Sequence, residues 1–227
     1  MNKANILAQA ILLLLLLCLA SNIWAGLPDD GAIAKTFRAK VQRIESRIRK
    51  LAEFGRNSEG GVSRVAFSEA DVQGREYIIS LMKEAGLEVR IDTAGNILGL
   101  RKGKDATLPP ILFGSHIDSV PSGGNYDGDV GVIGALECMQ VLDENNFNTR
   151  HSLEMVVFSD EEGIFAGSRA MVGDLTPVAL EGMSHSGMTI AEAICMKYSP
   201  TPLDAMPYPQ SATTTITASL PVKAILC

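Results

Sequence analysis

Two apolar runs, Pro110 to Ser115 and Leu153 to Ser159, flank a stretch from Gly128 to Leu142 in which Val132, Leu136 and Met139 recur at helical spacing. Strands that are apolar on both faces and joined by a helix of this length form a parallel βαβ unit, covered by helices on each side. The pattern therefore predicts an α/β fold: a three-layer α/β/α catalytic domain around a mostly parallel sheet, incomplete at its C-terminus. Ligands in such sheets bind beyond the carboxyl ends of the strands, so the residues just after each apolar run are where chemistry is expected.

Those residues are rich in metal-ligand types. His116 and Asp118 follow the first strand, Glu161 and Glu162 follow the second, and Asp127 stands at the entry to the connecting helix. All five can converge on one crevice. The Gly123-Gly124-Asn125 loop can fold back without side-chain clash and bring Asp127 over His116. A carboxylate there is the natural bridge between two cations, which in binuclear sites lie roughly 3.5–4 Å apart. Asp118, two residues beyond His116, is placed to accept the second imidazole N–H and fix the tautomer. Adjacent carboxylates in an extended segment point to opposite sides, so Glu161 and Glu162 are expected to divide the work. One ligates metal and the other takes the proton of the attacking water. His151 precedes the second strand, about 20 Å from the site by strand rise, and is read as surface; His185, in a Gly-Ser-rich loop, is left outside the site as well.

The rest of the chain frames this unit. Lys3, the unbroken Leu12 to Leu17 run and small residues leading to Trp24-Ala25-Gly26 have the order of a secretory signal, so 1–25 is read as a signal peptide cleaved after Ala25. Cleavage after Ala20 and retention as an anchor are the alternatives. The expected location is secreted or periplasmic, with the ER lumen second and no stable membrane association after cleavage. Residues 26–195 form the N-terminal part of the catalytic domain, and 196–227 a Pro/Thr-rich irregular tail. Apolar spacing predicts a helix from Ile33 to Phe54. A second helix is expected after a capping box with Ser68 as N-cap and Asp71 returning the hydrogen bond, and it stops at Gly86. Leu87–Ile91 and Asn96–Leu100 read as a hairpin around Ala94-Gly95-Asn96. Removal of the signal leaves Cys138, Cys195 and Cys227, scattered and odd in number, which points to neither a disulfide framework nor a thiolate metal site; Cys138 is expected to be a buried apolar thiol. With 20 basic against 26 acidic residues there is no cationic stripe, which argues against nucleic acid and for a small polar substrate.

Taken together, Gly114-Ser115-His116-Ile117-Asp118-Ser119-Val120-Pro121, Gly123-Gly124-Asn125-Tyr126-Asp127-Gly128, Gly131-Val132 and Asp160-Glu161-Glu162-Gly163 resemble the hydantoinase/carbamoylase-type amidases of the M20 metallopeptidase clan. That group includes N-carbamoyl-L-amino-acid hydrolases, allantoate amidohydrolases and β-ureidopropionases. The similarity covers roughly residues 35 to 195. It implies that His116 binds one metal, Asp127 bridges, Glu162 binds the second metal and Glu161 is the general base, with two divalent ions drawn from zinc, manganese, cobalt or nickel. It also implies a small carbamoyl or ureido substrate and, in complete members, a homodimer.

Two departures accompany the resemblance. Ile164-Phe165-Ala166 runs directly into Gly167-Ser168-Arg169-Ala170, where family members carry several more residues, and after Thr189 to Ala193 the chain turns to Pro200-Thr201-Pro202 rather than to a further metal His. The inserted dimerisation domain of complete members is expected to be absent as well. The expectation is a truncated or frame-shifted hydrolase of non-peptide C–N bonds, with a clan exopeptidase or a non-catalytic fragment as alternative readings.

Overall fold

The computed structural model of the protein describes residues 37–198. The signal-like segment, the start of the first predicted helix and the tail from residue 199 lie outside that range. All described elements belong to one compact unit beginning at Ala39.

Helix α1 (Val41–Leu51) carries Ile48 and Leu51 inward. Helix α2 (Glu69–Glu84) follows, then strands β1 (Glu88–Ile91), β2 (Ile97–Arg101) and β3 (Ile111–His116), helix α3 (Asp129–Glu144) and strand β4 (Leu153–Phe158). Short helices α4 (Ala166–Met171), α5 (Pro177–Leu180) and α6 (Ile190–Ala193) precede one π-helical turn over Ile194–Tyr198. The main core unites Ile48 and Leu51 of α1, Ile78 and Met82 of α2, Val132, Leu136 and Met139 of α3, and the β4 residues Leu153, Met155 and Val157. Alternation along β4 puts these last three on one face, with Val156 and its β2 neighbour Leu98 buried on the other. Arg43 of α1 binds the buried Glu137 of α3 at 2.6 Å, which fixes the two helices against each other.

The α/β architecture with an open sheet is the expected one, but two features of it differ. The sheet is mixed, in the order β1-β2-β4-β3: only β3 and β4 are parallel, whereas β2 runs antiparallel to both β1 and β4. The parallel βαβ unit is real, and the predicted hairpin simply adds to its β4 side. Strand β3 is also not buried on both faces. It is one of the two edge strands of the described sheet, and Ile111 and Leu112 are exposed while only its last residue, His116, is buried.

Local details shift as well. Ser68 caps α2 by accepting from Asp71 N at 3.2 Å, but Asp71 does not return the bond to Ser68. Its carboxylate accepts from Phe67 N at 3.0 Å and from the Tyr198 hydroxyl. Burial, only partly offset by Arg75, pushes the Asp71 carboxyl up to about 6. The Tyr198 ring stacks on Phe67 with centroids 4.7 Å apart and lies under the Arg75 guanidinium. Tyr198 thereby joins a second apolar cluster with Phe67, Ala166, Leu180 and Ile190. Cys138 is free and exposed rather than buried, because Leu136 and Met139 take the inward positions of α3. Cys195 is disulfide-bonded, which its spacing did not indicate.

Candidate metal centre

The parallel register pairs His116 with Phe158, so β3 and β4 end side by side. Helix α3 starts at the same end, since Asp127 converges with residues from both strand ends. Among the described residues, His116, Asp127 and Glu162 each offer one ligand atom, and these atoms all lie within 4.8 Å of one another. His116 is buried, Glu162 half-buried and Asp127 exposed, an arrangement open to solvent on one side.

The imidazole is aimed from behind. His116 Nδ1 lies 3.0 Å from the main-chain carbonyl of Asp118, which can only accept, so in the neutral ring Nδ1 carries the proton and Nε2 keeps its lone pair. Nε2 faces the Glu162 carboxylate at 3.9 Å. Asp118 also places its carboxylate near the ring. One oxygen lies 3.6 Å from Nδ1 and the other accepts the Glu162 N–H at 2.9 Å, so Asp118 ties the histidine loop to the glutamate turn with both its carbonyl and its side chain. Burial alone would lower the basicity of His116; the adjacent Asp118 carboxylate and carbonyl, together with Glu162, outweigh it and raise the pKa to about 9. Burial and the charges of Asp127 and Asp118 raise Glu162, against the pull of His116. A site that holds protons this firmly is one that a divalent cation would neutralise, with proton release on binding. The donor set, one imidazole and two carboxylates, suits a hard or borderline divalent ion. Asp118 Oδ1 and Asn125 Oδ1 are buried without hydrogen-bond partners.

Glu161 and Glu162 point to different partners because of a turn rather than strand alternation. Residues 161–164 form a tight turn. Asp160, at φ +53° and nearly fully buried, starts it and accepts from Ile164 N at 3.2 Å. A side chain at Gly163 would collide with the Asp160 carboxylate. Burial and nearby acids, opposed by the Ile164 N–H, push Asp160 up to about 7. Glu162 is thereby turned to the ligand group, while the Glu161 carboxylate accepts from Ser168 Oγ of α4 at 2.8 Å and stays outside it. His151 bonds Pro109 O at 2.8 Å before β4 begins, and His185 sits in an exposed loop; neither joins the cluster. Arg64, Asp129 and Ser168 escaped the sequence reading. A lone Arg or Ser carries no spacing signal, and Asp129 is masked by the more conspicuous Asp127-Gly128 turn.

A strand-end His with carboxylates from two neighbouring loops forms a group that could hold a metal ion, and the pattern of peptidase family M28 matches residues 96–183. The chain is 40% identical over 158 residues to an N-carbamoyl-L-amino acid amidohydrolase of Geobacillus stearothermophilus, an alignment covering 67% of this chain and 39% of that protein. It is 34% identical over 172 residues to a ureidoglycolate hydrolase of Arabidopsis thaliana, covering 71% of this chain and 36% of the relative. The crystal structure of a hydantoinase/carbamoylase family amidase from Burkholderia ambifaria superposes with a TM-score of 0.67 at 31% identity, over 72% of this chain and 42% of that one. Over about two thirds of its length the chain is similar to hydantoinase/carbamoylase-type amidases. It spans about two fifths of the length of these relatives, 39% and 36% of the two enzymes.

Proposed function

We propose that the protein is a metal-dependent amidohydrolase that cleaves the C–N bond of a small carbamoyl or ureido compound, the bond type of its relatives' substrates. The observation that carries this is the convergence of His116, Asp127 and Glu162 within 4.8 Å at the carboxyl ends of two parallel strands. In this reading His116, Asp127 and Glu162 would be the residues that hold divalent metal. Bound ions supply Lewis-acid polarisation of the scissile carbonyl and acidify water. Glu161, held by Ser168 rather than by the ligand group, takes the proton of the attacking water and returns it to the leaving nitrogen. Asp118 keeps His116 in the tautomer whose Nε2 faces the site.

Three donors suit one ion better than two, since a catalytic zinc takes about three protein ligands plus water. The expected result for the purified full chain is therefore one divalent ion retained after dialysis against a mild chelator and a second lost. Turnover of N-carbamoyl-L-amino acids, ureidoglycolate or allantoate should then depend on added manganese or zinc and fall below the usual enzyme range of about 1–10³ per second. Dipeptides serve as the comparison substrates. Absence of any metal binding would sink the proposal; two retained ions with fast turnover would show that donors outside the described residues complete the site.

Export is part of the same proposal, supported by Lys3, Leu12 to Leu17 and Ala25. Mass spectrometry of the mature protein should find it starting at or near Gly26, and an intact Met1 in a soluble cytoplasmic fraction would contradict this.

A further inference from the structure

We propose that Arg64 is a positioning residue of the metal centre, locking the loop that carries His116 and Asp118 to the helix start that carries Asp127. This rests on the metal-site reading above. Arg64 is only 1% exposed, and its guanidinium is fully engaged. Nε donates to Ile117 O at 2.6 Å, Nη1 to Leu51 O at 2.8 Å and Phe54 O at 3.1 Å, and Nη2 to both Asp129 oxygens at 2.8 and 2.7 Å. Its main chain is engaged too: Arg64 N donates to Ser119 Oγ at 3.0 Å, and Ser119 N donates to Arg64 O at 2.9 Å.

The bonds to Ile117 and Ser119 bracket Asp118 on both sides. Asp118 is the residue whose carbonyl orients the His116 ring and whose carboxylate holds the Glu162 N–H. On the other side, Asp129 is the first residue of α3, and its N–H donates to Asp127 O at 2.7 Å. Asp127 is thus one residue removed from Arg64, through Asp129, while His116 and Glu162 are reached through Asp118, whose two chain neighbours Arg64 holds. The planar fork of a guanidinium can hold several acceptors in fixed directions at once; an ammonium cannot.

A purely structural role predicts something different. Buried ion pairs are often replaceable by apolar pairs without loss of stability, so an Arg64→Met/Asp129→Leu double variant can keep the fold while removing the clamp. The test measures thermal unfolding of the metal-free protein and Mn²⁺ affinity by chelator competition, for the full chain and three variants: the double variant, Arg64→Lys, and Ser119→Ala, which removes one link at the loop surface. Outer-shell partners of metal ligands typically contribute 10–100-fold in affinity. The expected result is a double variant that unfolds near the wild-type temperature yet binds Mn²⁺ about 10–100-fold more weakly. Arg64→Lys and Ser119→Ala should weaken binding in the same direction. Wild-type affinity in any folded Arg64 variant overturns the positioning role, and if none folds, wild-type affinity in Ser119→Ala does so. Should the wild-type chain itself bind no Mn²⁺, the metal-site reading falls, and this role with it.

Discussion

Glu161→Gln is expected to retain bound metal while losing about 10²–10⁴ in turnover, the usual contribution of a general base, whereas Glu162→Gln is expected to lose metal. The two side chains are neighbours in sequence and isosteric with their replacements, so any difference between the variants reports on position alone. Glu162 lies with His116 and Asp127 in the group whose ligand atoms are within 4.8 Å of one another. Its N–H is fixed by Asp118, and burial together with the charges of Asp127 and Asp118 raises its pKa. Removing that charge takes away a ligand. Glu161 instead rests on Ser168 Oγ, so its amide leaves the ligand set intact and removes only a proton acceptor. Metal content by atomic absorption and turnover relative to wild type, measured on the same preparations, separate the roles. Equal metal loss from both substitutions would refute the assignment.

The site was more legible than the sheet. His116, Asp127 and Glu162 stood out because each follows or precedes a strongly periodic element, and strand ends in a parallel βαβ unit are where ligands gather. Period and length together placed β4 and α3 within a residue or two. What the pattern could not give was which strands lie at the edges of the described sheet. An apolar run such as Ile111 to Phe113 reads the same whether both faces are covered or one is open, and here Ile111 and Leu112 are exposed. The positions of β1 and β2 were legible while their place beside β4 was not, since pairing partners depend on long-range packing. The same holds for the polar frame. Spacing names Asp118 as the partner of His116 but not the atom that meets the ring, which is the main-chain carbonyl at 3.0 Å. Asp71 was assigned a local capping bond, but burial against Tyr198, 127 residues away, claims its carboxylate. Arg64 lies 65 residues from Asp129, a separation that no local spacing rule reaches.

Gly128→Ala is expected to damage both the fold and the metal centre, although it adds one methyl group. Gly128 adopts φ +68°, ψ −51°, a conformation that residues with a Cβ enter only with strain of order 1–3 kcal/mol. A Cβ there would also lie 2.5 Å from the His116 carbonyl oxygen and 2.6–2.7 Å from its ring atoms Cε1 and Nδ1. Neither neighbour can retreat cheaply. His116 closes β3 in register with Phe158, and its ring is held by the Asp118 carbonyl. The clash must therefore displace the ring or lift the turn bearing Asp127, and either movement separates two of the three ligands. Stability should fall by at least about 1–3 kcal/mol and divalent-ion affinity by about 10–100-fold, the range for a disturbed ligand support. Gly124→Ala provides the control: a Cβ there meets nothing within 4 Å, and its φ is not positive. Urea unfolding and chelator competition on the two variants check the prediction, which fails if Gly128→Ala binds metal as tightly as Gly124→Ala.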